Sequence, residues 1–149
     1  MWRHRFNPYL RSAMTSALLA AGLPAAIAAD DALPQARHSE GVTYVTGGVG
    51  LSESQALIEH RQDYPLAVEI YARERGRDVY TAGASVKISA ARGDSLLQAQ
   101  AHGPFLFAQL APGRYMVEVT LDGQTQRKAV NVDGDRTSRA IFVFREASA

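Results

Sequence analysis

Hydrophobic and polar positions alternate through most of the chain after residue 65. Apolar side chains recur at every second position in several short runs, beginning with Leu66, Val68 and Ile70. Successive side chains of a β-strand point to opposite faces, so this spacing is typical of strands that bury one face. Gly, Asp and Pro turn signals separate the runs. The pattern predicts an all-β fold, a single antiparallel β-sandwich of about seven strands.

Two local signals refine the sandwich. Asp122-Gly123 is the dipeptide favoured in two-residue β-hairpins, because both residues tolerate a positive φ. Ala140–Phe144 is apolar on both faces, which predicts an interior strand or one whose second face the helix covers.

One short helix is predicted near residues 52–61, at the N-terminal end of the domain. Ser52 is a favourable N-cap, and Gln55 three residues later can complete a capping box. The helix should end before Pro65. We therefore expect one domain over residues 42–149, with this helix packed on the sandwich.

The N-terminus has the three parts of a secretory signal. Three basic side chains and no acidic one occur in the first twelve residues, namely Arg3, Arg5 and Arg11. An apolar stretch over residues 13–28 follows, with small residues at Ala26 and Ala28 before the expected cleavage point. A single membrane anchor is the alternative, but the stretch is shorter than the roughly 20 residues of a spanning helix. The sequence predicts a signal peptide at 1–28, cleavage after Ala28, export to the periplasm and no membrane span afterwards.

Composition narrows the function of the exported chain. A flexible leader is expected at residues 29–41, which mix acidic, small and proline residues. Loss of three arginines with the signal would reduce the 16 basic residues to 13, against 15 acidic ones, a formal charge of −2. Such a balance disfavours nucleic-acid binding. The absence of cysteine excludes disulfides, thiolate catalysis and zinc-thiolate or iron–sulfur sites.

A Pro-Gly-x-Tyr turn precedes one of the clearest strands. Pro112 fixes φ for a turn, Gly113 can adopt a positive φ, and Tyr115 begins the next alternating run. A tyrosine at this position can host a tyrosine-corner-like hydrogen bond to the preceding main chain.

Residues 110–117, Leu-Ala-Pro-Gly-Arg-Tyr-Met-Val, resemble the carboxypeptidase regulatory-like domains, whose common local signature is Leu-Pro-Pro-Gly-x-Tyr-x-Val. Ala111 replaces the first proline of that signature. The resemblance covers roughly residues 66–144. It implies a prealbumin-like or immunoglobulin-like sandwich that serves as an accessory, binding or structural module without catalytic residues of its own.

The glycine-rich stretch before the helix, called the glycine loop below, is the strongest local candidate for a binding site. Gly47, Gly48 and Gly50 precede Ser52 and Glu53. The free N–H groups of a helix N-terminus could cradle an anion. No Lys or Gly-Lys-Ser/Thr follows, however, and Glu53 already places negative charge there, so a packing turn is favoured. If a ligand or partner binds, this loop is where we expect it.

No metal site is predicted. His38, His60 and His102 lack the close spacing of metal ligands, and His60 is expected at the end of the helix. Asp133 and Asp135 flank a glycine but supply too few oxygens for calcium, which favours a β-turn.

Arg73, Arg75 and Arg77 alternate and would share one face of an extended chain. They could contact a phosphate or an acidic partner. Glu74 and Gly76 lie among them, which favours a solvated hairpin tip whose charges also oppose unwanted edge pairing.

The sequence thus predicts no catalytic residue, no cofactor and no metal. The leading hypothesis is an exported, non-catalytic module that contacts a protein or ligand in the periplasm, most simply another envelope protein. A transthyretin-like hydrolase is one alternative, but that family closes with Tyr-Arg-Gly-Ser, whereas residues 144–149 read Phe-Arg-Glu-Ala-Ser-Ala. A structural component of an envelope assembly is the other.

Overall fold

The computed structural model describes residues 33–145. The predicted signal peptide and the start of the predicted leader lie outside them. The described chain forms ten strands and one helix. Their bounds are β1 Arg37–Ser39, β2 Val42–Gly47, α1 Leu51–His60, β3 Leu66–Glu74, β4 Arg77–Tyr80, β5 Ser85–Ala90, β6 Ser95–Gln100, β7 Phe105–Ala108, β8 Gly113–Leu121, β9 Gln124–Val132 and β10 Ser138–Arg145.

The strands form two sheets. Sheet A has the order β1-β2-β7-β3-β10, with β4 paired to β3 beyond the end of β7, and sheet B has the order β6-β5-β8-β9. The predicted all-β class is confirmed, but the predicted seven-strand, antiparallel arrangement is wrong. There are ten strands in two sheets, including the short strands β1 and β4 of sheet A. β10 is parallel to β3, with Ser138 opposite Leu66 and Arg145 opposite Arg73.

The main core fills the space between the sheets. It takes every second residue of the long strands, as the alternation predicts. Phe142 and Phe144 of β10 supply its largest fully buried side chains, and Leu66, Val68 and Ile70 of β3 are fully buried.

Two-residue hairpins with a glycine at the second position join three strand pairs. In each, both turn residues have a positive φ, as the mirror-image turns of tight hairpins require. The turns are Glu40-Gly41, Arg75-Gly76 and the predicted Asp122-Gly123. The first of them folds β1 onto β2, so the sheet begins at Arg37, within the stretch assigned to the flexible leader from sequence.

The helix begins one residue earlier than predicted. Its N-cap is Gly50, with no side-chain capping hydrogen bond, so Ser52 is not the cap and the proposed capping box does not form. A 3₁₀ turn at Arg61–Asp63 follows α1 directly. Within the described chain, no helix is both long and apolar enough to cross a membrane.

β10 is an edge strand of sheet A, so the prediction of an interior or helix-covered strand is wrong. Its inner face fills the core, while Ile141 on its outer face remains exposed. Its outward carbonyls accept hydrogen bonds from alternate side chains of β9. These bonds run from Gln126 Nε2 to Val143 O (2.9 Å), from Gln124 Nε2 to Arg145 O (3.1 Å) and from Lys128 Nζ to Ile141 O.

Candidate functional site

The outer face of sheet A is the face turned away from sheet B, and α1 covers part of it. Leu57 of the helix packs into a second small core with Val45, Ala67, Phe105 and Phe107. The predicted glycine loop, a row of aromatic rings and a buried carboxylate all lie on this face.

The glycine loop is closely packed against the sheet. The Gly48 N–H donates to Glu53 Oε1 at 2.5 Å, so the loop is bonded to an acidic side chain of the first turn of the helix. A Cβ at Gly47 would lie 2.0 Å from that same oxygen. Gly48 has φ +101°, and its Cβ would lie 2.5 Å from Phe105 Cδ2. These contacts favour a packing turn over an anion cradle.

The exposed part of the loop is apolar. Val49 is 70% exposed and Leu51 is 75% exposed. Gly50 has open space around it, and Ser52 is exposed at the start of the helix. The glycines therefore position the loop, while Val49 and Leu51 are the large apolar side chains that it exposes.

Five aromatic rings form a continuous row across the outer face. Neighbouring ring centroids are 5.5–5.7 Å apart, in the order Tyr64, Phe107, Phe105, Tyr80, Tyr71. The two phenylalanines are buried beside the helix, whereas Tyr80 is 50% exposed. The row thus extends from the small core beneath the glycine loop to the exposed ring of Tyr80 on β4.

A buried carboxylate lies beside this row. Glu69 of β3 is 1% exposed and accepts hydrogen bonds from three side chains. Arg139 of β10 donates two of them at 2.8 Å, Arg61 donates at 3.1 Å and Tyr71 donates at 2.9 Å. The parallel register places Arg139 next to Glu69 on the same face, because Arg139 is opposite Ala67 and Ile141 is opposite Glu69.

Charge and burial act in opposite directions on Glu69. Burial alone would raise the pKa of its carboxyl. The hydrogen bonds from Arg139 and Tyr71 and the charges of Arg139 and Arg61 outweigh that effect, so the pKa lies below its ordinary value. Burial and the neighbouring carboxylate raise the pKa of Tyr71. Glu69 therefore remains ionised near neutral pH, and its ion pairs hold together β3, β10 and the turn after the helix.

The histidines are not brought together. His38 Nδ1 lies 3.0 Å from Thr43 Oγ1, and His60, the last residue of α1, lies 2.8 Å from Asp63 Oδ2. His102 is exposed, and its N–H donates to the side chain of Thr46. Across residues 33–145, no cluster of three or more metal-ligating side chains is present.

The acidic turn at Asp133 is closed by the main chain. Asp133 Oδ1 accepts the N–H groups of Asp135 and Arg136 at 3.0 Å each. These bonds lower the pKa of Asp133 and define a turn of the kind expected from the sequence.

The three arginines of the β3–β4 hairpin have different surroundings. Arg73 Nε donates to Asp78 Oδ1 at 2.8 Å, and this pair raises the pKa of Arg73 and lowers that of Asp78. Arg75 and Arg77 are exposed, and neither is within ion-pair distance of a carboxylate of residues 33–145.

The Pro-Gly-x-Tyr turn closes on its own main chain. Tyr115 Oη donates to Ala111 O at 2.5 Å, the bond that the sequence predicts for a tyrosine-corner-like arrangement. Gly113 begins β8 without a positive φ, so the turn does not use its special freedom. A Cβ there would lie 3.6 Å from Tyr115 Oη, an ordinary contact, so the glycine is not sterically required.

The chain matches no model of a known protein family, and no curated protein is significantly similar to it.

Proposed function

We propose that this protein is an exported, non-catalytic β-sandwich module that binds another protein of the cell envelope in the periplasm. Its contact surface is the layer formed by α1, the glycine loop and the open part of the outer face of sheet A. The distribution of exposed apolar side chains carries this proposal.

Large apolar side chains are exposed mainly on this one side. Of the six in the described chain, five belong to this layer, namely Val49, Leu51, Ile58, Tyr80 and Ile141. The sixth, Met116, lies on the outer face of sheet B. Single exposed apolar residues need no explanation, but several grouped on one face are typical of a protein-binding surface.

Tyr80 has the properties of an interface anchor. Its ring packs on Phe105 at 5.5 Å and on Tyr71 at 5.7 Å, so it is held in place before a partner arrives. A half-exposed tyrosine fixed in this way loses little conformational entropy on binding, and tyrosines are enriched among residues that dominate interface energies.

Membership of the carboxypeptidase regulatory-like domains is part of this proposal. The hydrogen bond between Tyr115 and Ala111 and the paired sheets support it. Those domains usually act as accessory modules, which agrees with a surface suited to contact rather than to chemistry.

Photocrosslinking in cells tests the proposal. A benzoylphenylalanine at Leu51 should give a discrete adduct with an envelope protein, and the added substitution Tyr80→Ser should remove it. The same probe at Met116, which is 39% exposed on the other sheet, is the matched control and should give no such adduct. Equal adducts at both positions, or none at Leu51, would contradict the proposed surface.

A further inference from the structure

Most sheet edges in the described chain are covered by other parts of the protein. Side chains of β9 donate to the outward carbonyls of β10, as described above. β1 lies beside β6, and Ser39 Oγ donates to Gln98 O at 3.3 Å. Such side-chain contacts blunt edges that would otherwise accept a foreign strand.

β4 is different. Among residues 33–145 it pairs with β3 alone, with Arg77 opposite Glu74 and Tyr80 opposite Tyr71. In a two-residue hairpin, the residues that flank the turn form a hydrogen-bonded pair, and such pairs then alternate along the strands. The main-chain groups of Arg77 and Val79 therefore face β3, and those of Asp78 and Tyr80 point away from it. No other part of the described chain hydrogen-bonds to these outward groups.

The side chains along this edge form an alternating pattern. A cavity of about 500 Å³ opens beside it, lined by Glu74, Arg75, Arg77 and Val79. Asp78 and Tyr80 lie on the outer face of the sheet, and Tyr80 adjoins the apolar surface already described. A strand added here would thus meet Arg77 and Val79 on one face and Asp78 and Tyr80 on the other.

We infer that the β4 edge binds an extended segment of the partner protein as an additional antiparallel strand. The segment places apolar residues opposite Tyr80 and Val79, a basic residue opposite Asp78 and an acidic residue opposite Arg77. The carboxylate of Asp78 accepts a hydrogen bond from Arg73 through Oδ1, and the basic residue adds a second partner to it. Main-chain bonds provide the affinity and the four side-chain pairs provide the specificity. This inference rests on the proposed function, because it names how the same surface is used.

A second copy of the chain fits this edge less well. A symmetric antiparallel pair centred on Asp78 would oppose two aspartates, which is unfavourable. A pair centred on Val79 would place Arg77 opposite Thr81, and a pair centred on Tyr80 would place Asp78 opposite Ala82, so both would leave charges unmatched. The charges of β4 therefore favour a complementary partner over self-pairing.

A synthetic peptide tests the pattern directly. The acetylated and amidated hexapeptide Thr-Phe-Ile-Lys-Glu-Thr places Phe, Ile, Lys and Glu opposite Tyr80, Val79, Asp78 and Arg77. Titrated into ¹⁵N-labelled protein, it should shift and protect the amides of Asp78 and Tyr80. The composition-matched peptide Thr-Phe-Ile-Glu-Lys-Thr, which exchanges the two charges, should bind about tenfold more weakly.

N-methylation fixes the register. Methyl groups on the Phe and Lys amides, which face β4, should abolish binding, whereas methyl groups on the Ile and Glu amides should be tolerated. Equal binding of the two charge orders, shifts away from β4, or a concentration-dependent dimer with protected β4 amides would each overturn the inference. If the peptide fails while the crosslink at Leu51 persists, strand addition is refuted and the proposed function stands.

Discussion

Replacing Glu69 with Gln should be one of the most costly conservative substitutions in this protein. The carboxylate is 1% exposed and accepts four hydrogen bonds, two from Arg139 and one each from Arg61 and Tyr71. Glutamine keeps the shape of the side chain but removes the charge, and it presents an amide donor to groups that themselves donate. Some N–H groups of Arg61 and Arg139 would then lose their acceptor while they remain partly buried.

The expected loss in the free energy of unfolding is about 3 kcal/mol. Breaking a buried ion pair by removing one partner typically costs about 3–5 kcal/mol. The lower end applies here because the side chains of Arg61 and Arg139 are 29% and 45% exposed, so water can partly solvate them. Such a loss is a large part of the roughly 5–15 kcal/mol that stabilises an ordinary domain.

Urea unfolding at pH 7, followed by circular dichroism, measures this loss as a shift in midpoint at constant slope. Glu118→Gln is the matched control, because Glu118 pairs with exposed Arg127 and should cost less than about 1 kcal/mol. If the two variants lose the same stability, or if Glu69→Gln loses less than about 1 kcal/mol, the structural role assigned to Glu69 is wrong.

The same comparison has a definite pH dependence. The pKa of Glu69 is lower in the folded protein than its ordinary value of 4.5, so its ionised form stabilises the fold. This contribution is fully present above the ordinary value and is lost as the pH falls through the lowered pKa. The stability difference between wild type and Glu69→Gln should therefore be constant near neutral pH and shrink below about pH 4.5. A difference that grows on acidification would contradict the assigned shift.

Three further predictions concern the glycine loop, the tyrosine turn and the N-terminus. Gly48→Ala should lose about 2 kcal/mol in urea unfolding, because of its positive φ and the clash with Phe105, whereas Gly113→Ala, which has no positive φ and only ordinary contacts, should change little. Tyr115→Phe should lose about 1 kcal/mol in the same assay, the usual contribution of one hydrogen bond, and no loss would show that the bond is unimportant. Under the proposed export, N-terminal sequencing of the protein should show cleavage after Ala28, and an intact N-terminus would refute the signal peptide.

The fold class could be predicted from sequence because alternation records which face of each strand is buried. Leu66, Val68 and Ile70 lie in the core as the spacing requires. The pairing of strands is not recorded in that way. The sequence predicts β10 as an interior strand because Ala140–Phe144 is apolar on both faces. In the structure, β10 pairs with β3 on one side only, and side chains of β9 bond to its other side.

The site was harder to predict than the fold. The glycine loop could be found from composition, but Val49, Leu51 and Tyr80 are ordinary apolar residues in a sequence. Glu69 occupies an alternating position that normally faces solvent. Its burial depends on Arg139, 70 residues away, and only the parallel register brings the two together. The one signal in the sequence for a buried Glu69 is that Ala67 and Tyr71, its neighbours on the same face of β3, are not charged.

The parallel pairing of β10 with β3 also affects when the chain can fold. β3 is among the first strands synthesised, yet the neighbour that completes its ladder comes from the last residues described. Until β10 emerges, Phe142 and Phe144 are missing from the core and Glu69 has no bidentate partner. Long-range pairing of this kind delays folding until the ends of the chain can meet. A protein translocated through a membrane as an unfolded polypeptide would gain from this delay, because premature folding would obstruct its passage.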